Sequence, residues 1–124
     1  MYEVAVDYTF AAGHALRGYK GKCENVHGHN YKVRVTLEGE TLNAAGLLVD
    51  FTELKRVLHS AIGRLDHEFL NDIPPFDQLN PSAENMAKYF HDEVSKGLPV
   101  QPGVRVASVR IWETDTSIAT YRAG

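Results

Sequence analysis

The sequence predicts an α+β domain in which a four-stranded antiparallel sheet carries two helices on one face, in the order β-β-α-α-β-β. Three observations lead there. Two stretches near the N-terminus alternate apolar and polar residues with period two, two central stretches carry apolar stripes at helical spacing, and two shorter strand-like stretches follow. At 124 residues and 44% hydrophobic, the chain is long enough for one core and too short for two ordinary ones, so residues 1–124 are read as a single domain.

The first strand, about Tyr2 to Phe10, sets Tyr2, Val4, Val6, Tyr8 and Phe10 on one face and Glu3, Ala5, Asp7 and Thr9 on the other. The second, about Tyr31 to Glu38, repeats that division, with Lys32, Arg34, Thr36 and Glu38 on its polar face. Strands divided in this way belong to a sheet that is covered on one side and wet on the other. The first helix starts at Asp50, whose carboxylate can cap the free amides while Glu53 reaches back. Leu54, Val57, Leu58, Ala61, Ile62 and Leu65 form its core stripe.

A second helix begins near Asn80-Pro81-Ser82, with proline in the first turn, and buries Ala83, Met86, Ala87, Phe90 and Val94 before Gly97 stops it. His59 and His91 read as ordinary surface or boundary histidines. Val104 to Trp112 is the third strand, Thr114 to Ser117 a turn, and Ile118 to Arg122 the fourth strand. Such a sheet has two bare edges, so closure into an oligomeric barrel is expected, with Lys32, Arg34, Glu3 and Asp7 facing a hydrated lumen.

A net charge of -3 gives no global basic field, which argues against nucleic acid or an anionic membrane as partner. The opening residues carry two acids, and no apolar run approaches membrane-spanning length, so a cytoplasmic protein is expected. The single cysteine, Cys23, cannot form an internal disulfide, in keeping with a reducing compartment.

The most informative stretch is Cys23-Glu24-Asn25-Val26-His27-Gly28-His29, which runs directly into the second strand. If the extended backbone reaches back across the glycine, His27 and His29 project to one side and form half of a zinc site. A histidine pair in a glycine-containing loop can equally be solvated turn chemistry. His14, set among small residues after the first strand, is the candidate third ligand, and three histidines leave one position open as in catalytic zinc.

Cys23 can be a base or nucleophile with a lowered pKa, an inert core residue, or a fourth ligand closing a structural site. Arg17, Lys20 and Lys22 are either solvated surface or partners for phosphates. Asp66 and His67, as helix neighbours, point about 100° apart and can act as a pair only where the backbone is irregular. Spacing alone favours a plain charged pair. Glu113, closing the third strand after Trp112, is either solvated or, in a pocket, able to grip the amino and ring N–H groups of a guanine-like heterocycle.

Taken in order, the His14 region, Cys23-x-x-x-His27-Gly28-His29-Asn30-Tyr31, Leu65-Asp66-His67, Pro81-Ser82-Ala83-Glu84-Asn85 and Trp112-Glu113-Thr114 resemble the 6-pyruvoyltetrahydropterin synthase superfamily, above all its bacterial 6-carboxytetrahydropterin synthase branch. The resemblance covers essentially the whole chain. The four-residue step from Cys23 to His27 favours that branch, since animal-type synthases have a wider gap and a folate-linked branch has glutamate in place of the cysteine. Gly13 stands where many members have alanine or serine.

The resemblance implies a tunnelling fold (T-fold), in which subunit sheets join into a barrel and two rings stack into a homo-oligomer, a hexamer built as a dimer of trimers. It implies active sites at subunit contacts, with zinc (Zn2+) on His14, His27 and His29, Cys23 as general base, Asp66 and His67 as a proton-relay dyad, and Glu113 as pterin anchor. The backbone should then leave helical geometry near Asp66, with the dyad facing a cysteine of another subunit. The implied reaction converts 7,8-dihydroneopterin triphosphate to 6-carboxytetrahydropterin, acetaldehyde and triphosphate, a step toward queuosine-type 7-deazapurines. Two competing readings stand beside it: a 6-pyruvoyltetrahydropterin product, or a non-catalytic zinc-stabilised pterin-binding module.

Overall fold

The computed structural model describes residues 1–18, 27–99 and 101–124, and of His27 the backbone alone. Strands β1 (Tyr2–His14) and β2 (His27–Gly39) precede helices α1 (Phe51–Gly63) and α2 (Ala83–Gly97), and strands β3 (Val104–Trp112) and β4 (Ile118–Arg122) follow. The four strands form one antiparallel sheet in sequential order β1-β2-β3-β4. The expected α+β architecture and element order are therefore those observed.

Alternation along the strands decides which face the helices cover. Val6, Phe10, Tyr31, Val33, Val35, Leu37, Val109 and Ile111 point into the core, where they meet Leu54, Leu58 and Ile62 of α1 and Met86, Phe90 and Val94 of α2. Between the pairs Thr36↔Ser108 and Leu37↔Val106, β3 carries one extra residue, Ala107, and the bulge buries Val106 and Ala107 side by side.

Three local expectations are corrected. The Asp50 carboxylate does accept from the Thr52 N–H at 2.8 Å, but Glu53 turns away to pair with Arg56, so only half of the capping box forms. Leu65, read as part of the α1 stripe, is fully buried from the turn after the helix. Pro81 lies before the α2 N-cap, Ser82, whose hydroxyl accepts from the Asn85 N–H at 3.1 Å. Gly97 has a second role besides ending α2: a Cβ there would stand 2.6 Å from Val57 Cγ1, so α1 packs where only a glycine fits.

The opposite face of the sheet is charged. Arg34 donates to the two Asp7 oxygens at 2.7 and 2.9 Å, and Lys32 Nζ lies 3.5 Å from the same carboxylate. Lys32, Arg34 and Arg110 all stand over the Trp112 ring, at 4.5, 5.2 and 5.7 Å from its centre. The Arg34 hydrogen bonds hold the Asp7 carboxyl below its usual range, against the opposing pull of partial burial. A carboxyl whose folded pKa is depressed contributes stability above its unfolded pKa and loses it as pH falls through the folded one. Both side chains are more than a third exposed, so the contribution is at most about 1 kcal/mol. Asp7→Asn is therefore expected to melt slightly below wild type at neutral pH, with the gap closing in acid. Melting curves across pH check this, and a gap that persists unchanged into acid assigns it to something other than the charge pair.

Candidate metal centre and pterin site

The site grows from the far end of the β1–β2 ladder, where both strands run further than their hydrophobic alternation predicts. Register pairs Ala12 with His29, Gly13 with Gly28 and His14 with His27, so His14 is the last residue of β1 rather than part of a loop beyond it. The extension is held from outside. Asp66 Oδ1 accepts the Ala11 N–H at 3.0 Å, the His67 N–H donates to the Ala11 carbonyl at 2.6 Å, and the Gly13 N–H donates to the Glu68 carbonyl at 3.1 Å. Further along, the side-chain amide of Asn71 pairs with both backbone groups of Ala15, and that of Asn80 with both of Arg17. The small residues around His14 thus serve close approach to a neighbour, with Gly13 bridged to Phe69.

His14 is almost wholly buried, and its ring stacks on that of His29 at 5.2 Å between centres. One oxygen of Glu113, Oε1, lies 3.2 Å from His29 Nε2 and 3.7 Å from His14 Nε2. These three residues form a group whose ligand atoms all fall within 4.8 Å of one another. Imidazole nitrogen and carboxylate oxygen are a donor set that zinc accepts, so the residues present fit the ion implied by the sequence. Glu113 follows directly on β3, its N–H donating to the Ser117 carbonyl at 3.0 Å, and this turn sets the direction of its side chain.

Tyr31 completes the arrangement and was not given a role by sequence reasoning. Its hydroxyl is hydrogen-bonded to His14 Nδ1, which leaves Nε2 to face the cluster. Burial, and then the charge of Glu113, push the phenol pKa well up, so the hydroxyl keeps its proton. The signal that could have found it is its position, two residues after His29 and on the same strand face. Metal on Nε2 requires Nδ1–H to donate to the Tyr31 oxygen, the partner that fixes ring orientation in metal-bound histidines.

The other candidate residues fall in different places. Asp66 and His67 do form a pair, with Nδ1 and Oδ1 3.1 Å apart, because the backbone leaves helical geometry after Gly63 and His67 adopts φ 61°. A non-glycine residue in that region is uncommon, and here its N–H bond to Ala11 helps hold it. The His67 side chain is 81% exposed and lines, with His29, a cavity of about 380 Å³. The Arg17 guanidinium donates to the carbonyls of Phe76 at 2.8 Å and Asn71 at 3.2 Å, so it clamps the loop. Cys23, Lys20, Lys22 and the side chain of His27 lie outside the described residues.

Residues 3–124 match the family model for 6-pyruvoyl tetrahydropterin synthase. The chain belongs to that family. It is 42% identical over 106 residues to the human 6-pyruvoyl tetrahydrobiopterin synthase, covering 82% of this chain and 71% of the relative. It is 35% identical over 127 residues to the 6-carboxy-5,6,7,8-tetrahydropterin synthase of Bacillus subtilis, covering 98% and 85%. Among solved structures it is similar to the 6-pyruvoyl tetrahydropterin synthase of Caenorhabditis elegans, with a TM-score of 0.86, 29% identity, and coverage of 100% and 98%. The T-fold expected from the sequence is thus the fold observed.

The Tyr31–His14 contact yields a direct test. Tyr31→Phe keeps the ring in the core but removes the partner of His14 Nδ1, and loss of such a partner costs about 10–100-fold in metal affinity. Chelator competition with the purified variant measures it. Affinity equal to wild type would remove Tyr31 from the site.

Proposed function

We propose that this chain, acting as one domain over residues 1–124, is a zinc-dependent 6-carboxy-5,6,7,8-tetrahydropterin synthase. It converts 7,8-dihydroneopterin triphosphate and one water to 6-carboxytetrahydropterin, acetaldehyde and triphosphate, and serves the queuosine route in the cytoplasm. The observation that carries the reading is the convergence of His14, His29 and Glu113 at the end of the β1–β2 ladder, in a chain of this family. Relatives named as carboxy synthases, from Bacillus subtilis and Aquifex aeolicus, align over 98% of the chain.

In this reading His14, His27 and His29 hold zinc, which when bound supplies a Lewis acid that stabilises negative charge developing on the substrate side chain. Cys23, as thiolate, takes a proton from that side chain. The His67 imidazole, backed by the Asp66 carboxylate at 3.1 Å, carries protons to and from the substrate at the rim it shares with His29. Glu113 accepts two parallel hydrogen bonds from the pterin amino and ring N–H groups and fixes the ring's orientation. Electrons move from the side chain into the dihydropterin ring, so the internal redox requires neither nicotinamide nor flavin. The edge strands β1 and β4 join neighbouring subunits into the barrel, with two rings stacked as a dimer of trimers, so that Asp66 and His67 of one subunit can meet Cys23 of the next.

A second reading, 6-pyruvoyltetrahydropterin synthase activity, is favoured by the 42% identity to the human enzyme so named. The four-residue spacing from Cys23 to His27 speaks for the carboxy branch. Anaerobic incubation of zinc-loaded protein with dihydroneopterin triphosphate, read by mass spectrometry, decides. A carboxylated tetrahydropterin with acetaldehyde is expected, a pyruvoyl product moves the chain to the other branch, and no product at all contradicts both. Cys23→Ala is expected to keep zinc content and melting temperature while turnover falls by at least the ~10²-fold typical of a lost acid–base group. Joint loss of zinc and stability would instead assign Cys23 to a closed structural site.

A further inference from the structure

We propose that Glu113 has two alternating partners: in the resting site its carboxylate is a metal ligand, and an incoming pterin ring releases it by taking over its hydrogen bonds. The inference rests on the metal-dependent reading above and goes beyond it in giving Glu113 a place in the metal's own coordination.

In a tetrahedral zinc site with bonds of 2.0–2.1 Å, neighbouring ligand atoms stand about 3.3–3.4 Å apart. The Glu113 oxygen stands 3.2 Å from His29 Nε2 and 3.7 Å from His14 Nε2, so it is placed as a ligand edge is placed, by one atom against two imidazoles. The same side chain lines a separate cavity of about 290 Å³, bounded by Glu84 of α2 and by Ser117, Ile118 and Thr120 at the start of β4. Glu113 thus borders both the histidine cluster and this second space.

A carboxylate cannot turn the same lone pairs to both sides at full strength. Two adjacent N–H donors match its two oxygens in a bidentate fashion, so ring binding and metal ligation compete for the same carboxylate. Ligation by Glu113 lowers the net charge of the cluster by one, which weakens its pull on water. Release by the ring restores that charge only when substrate is present to use it. The device ties electrophilic power to occupancy of the ring pocket.

Cobalt(II) replaces zinc with a visible spectrum that reports its ligands, and so provides a readout independent of turnover. Loaded with cobalt alone, wild type and Glu113→Gln are expected to differ in spectrum. The variant's affinity for the metal, by chelator competition, should be lower by at least the ~10-fold that even an outer-shell loss costs. Glu113→Asp, which keeps the charge on a shorter arm, should fall between. A pterin without a side chain should then move the wild-type spectrum toward that of the variant and leave the variant's unchanged. Identical spectra and affinities, with both variants melting like wild type, overturn the proposal, as does an equal pterin-induced shift in wild type and variant. Product formed by protein with a Glu113-independent spectrum sinks this inference alone, and a Glu113-dependent spectrum in protein that makes no product sinks the synthase reading instead.

Discussion

Everything at the site depends on the register of β1 against β2. Thirteen antiparallel pairs run without a break from Tyr2↔Gly39 to His14↔His27, and the last three place His14 and His29 on adjacent strands with one glycine pair between them. A slip of one residue would send every side chain to the other face, moving Val33, Val35 and Leu37 out of the core as well as separating the imidazoles. The hydrophobic core therefore guards the geometry of the histidines. Burial that holds the sheet together also fixes the one register in which His14 and His29 stack.

The outer edge of β1 shows how that ladder is kept straight to its end. Ala11, Gly13, Ala15 and Arg17 meet, in turn, Asp66 and His67, Glu68, Asn71 and Asn80. Two asparagine amides here act as a backbone neighbour would, each offering one donor and one acceptor. Asp66 consequently has two tasks for one oxygen, an edge hydrogen bond to Ala11 and a contact with His67. The segment that carries Asp66 and His67 is thus the same segment that props the end of β1 bearing His14, which couples the two mechanically.

Most of the fold was legible because it is written in local period. Alternation from Tyr31 to Leu37 and the stripe from Leu54 to Ile62 both resolve into buried faces where expected. The extension of β1 to His14 was not legible from alternation, because Ala11 to Gly13 carry no apolar signal and their partners lie about 55 residues away in sequence. Glu113 shows the same limit. Its approach to His29 follows from the β2–β3 register, one residue beyond the Lys32↔Trp112 pair, and no local pattern specifies that register across the intervening helices. Motif order located Asp66 and His67, whereas only the backbone turn at φ 61° explains how neighbours can face one another.

A metal centre held by nitrogen and oxygen alone, at the end of the β1–β2 ladder, is what the proposed function and the Glu113 inference both require. X-ray absorption at the zinc edge of the metal-loaded protein examines that directly, because sulfur and nitrogen or oxygen ligands differ in bond length by about 0.2–0.3 Å. The account predicts a first shell of nitrogen and oxygen alone, at about 2.0–2.1 Å. A sulfur shell at about 2.3 Å would contradict it, by placing Cys23 on the metal rather than on the substrate.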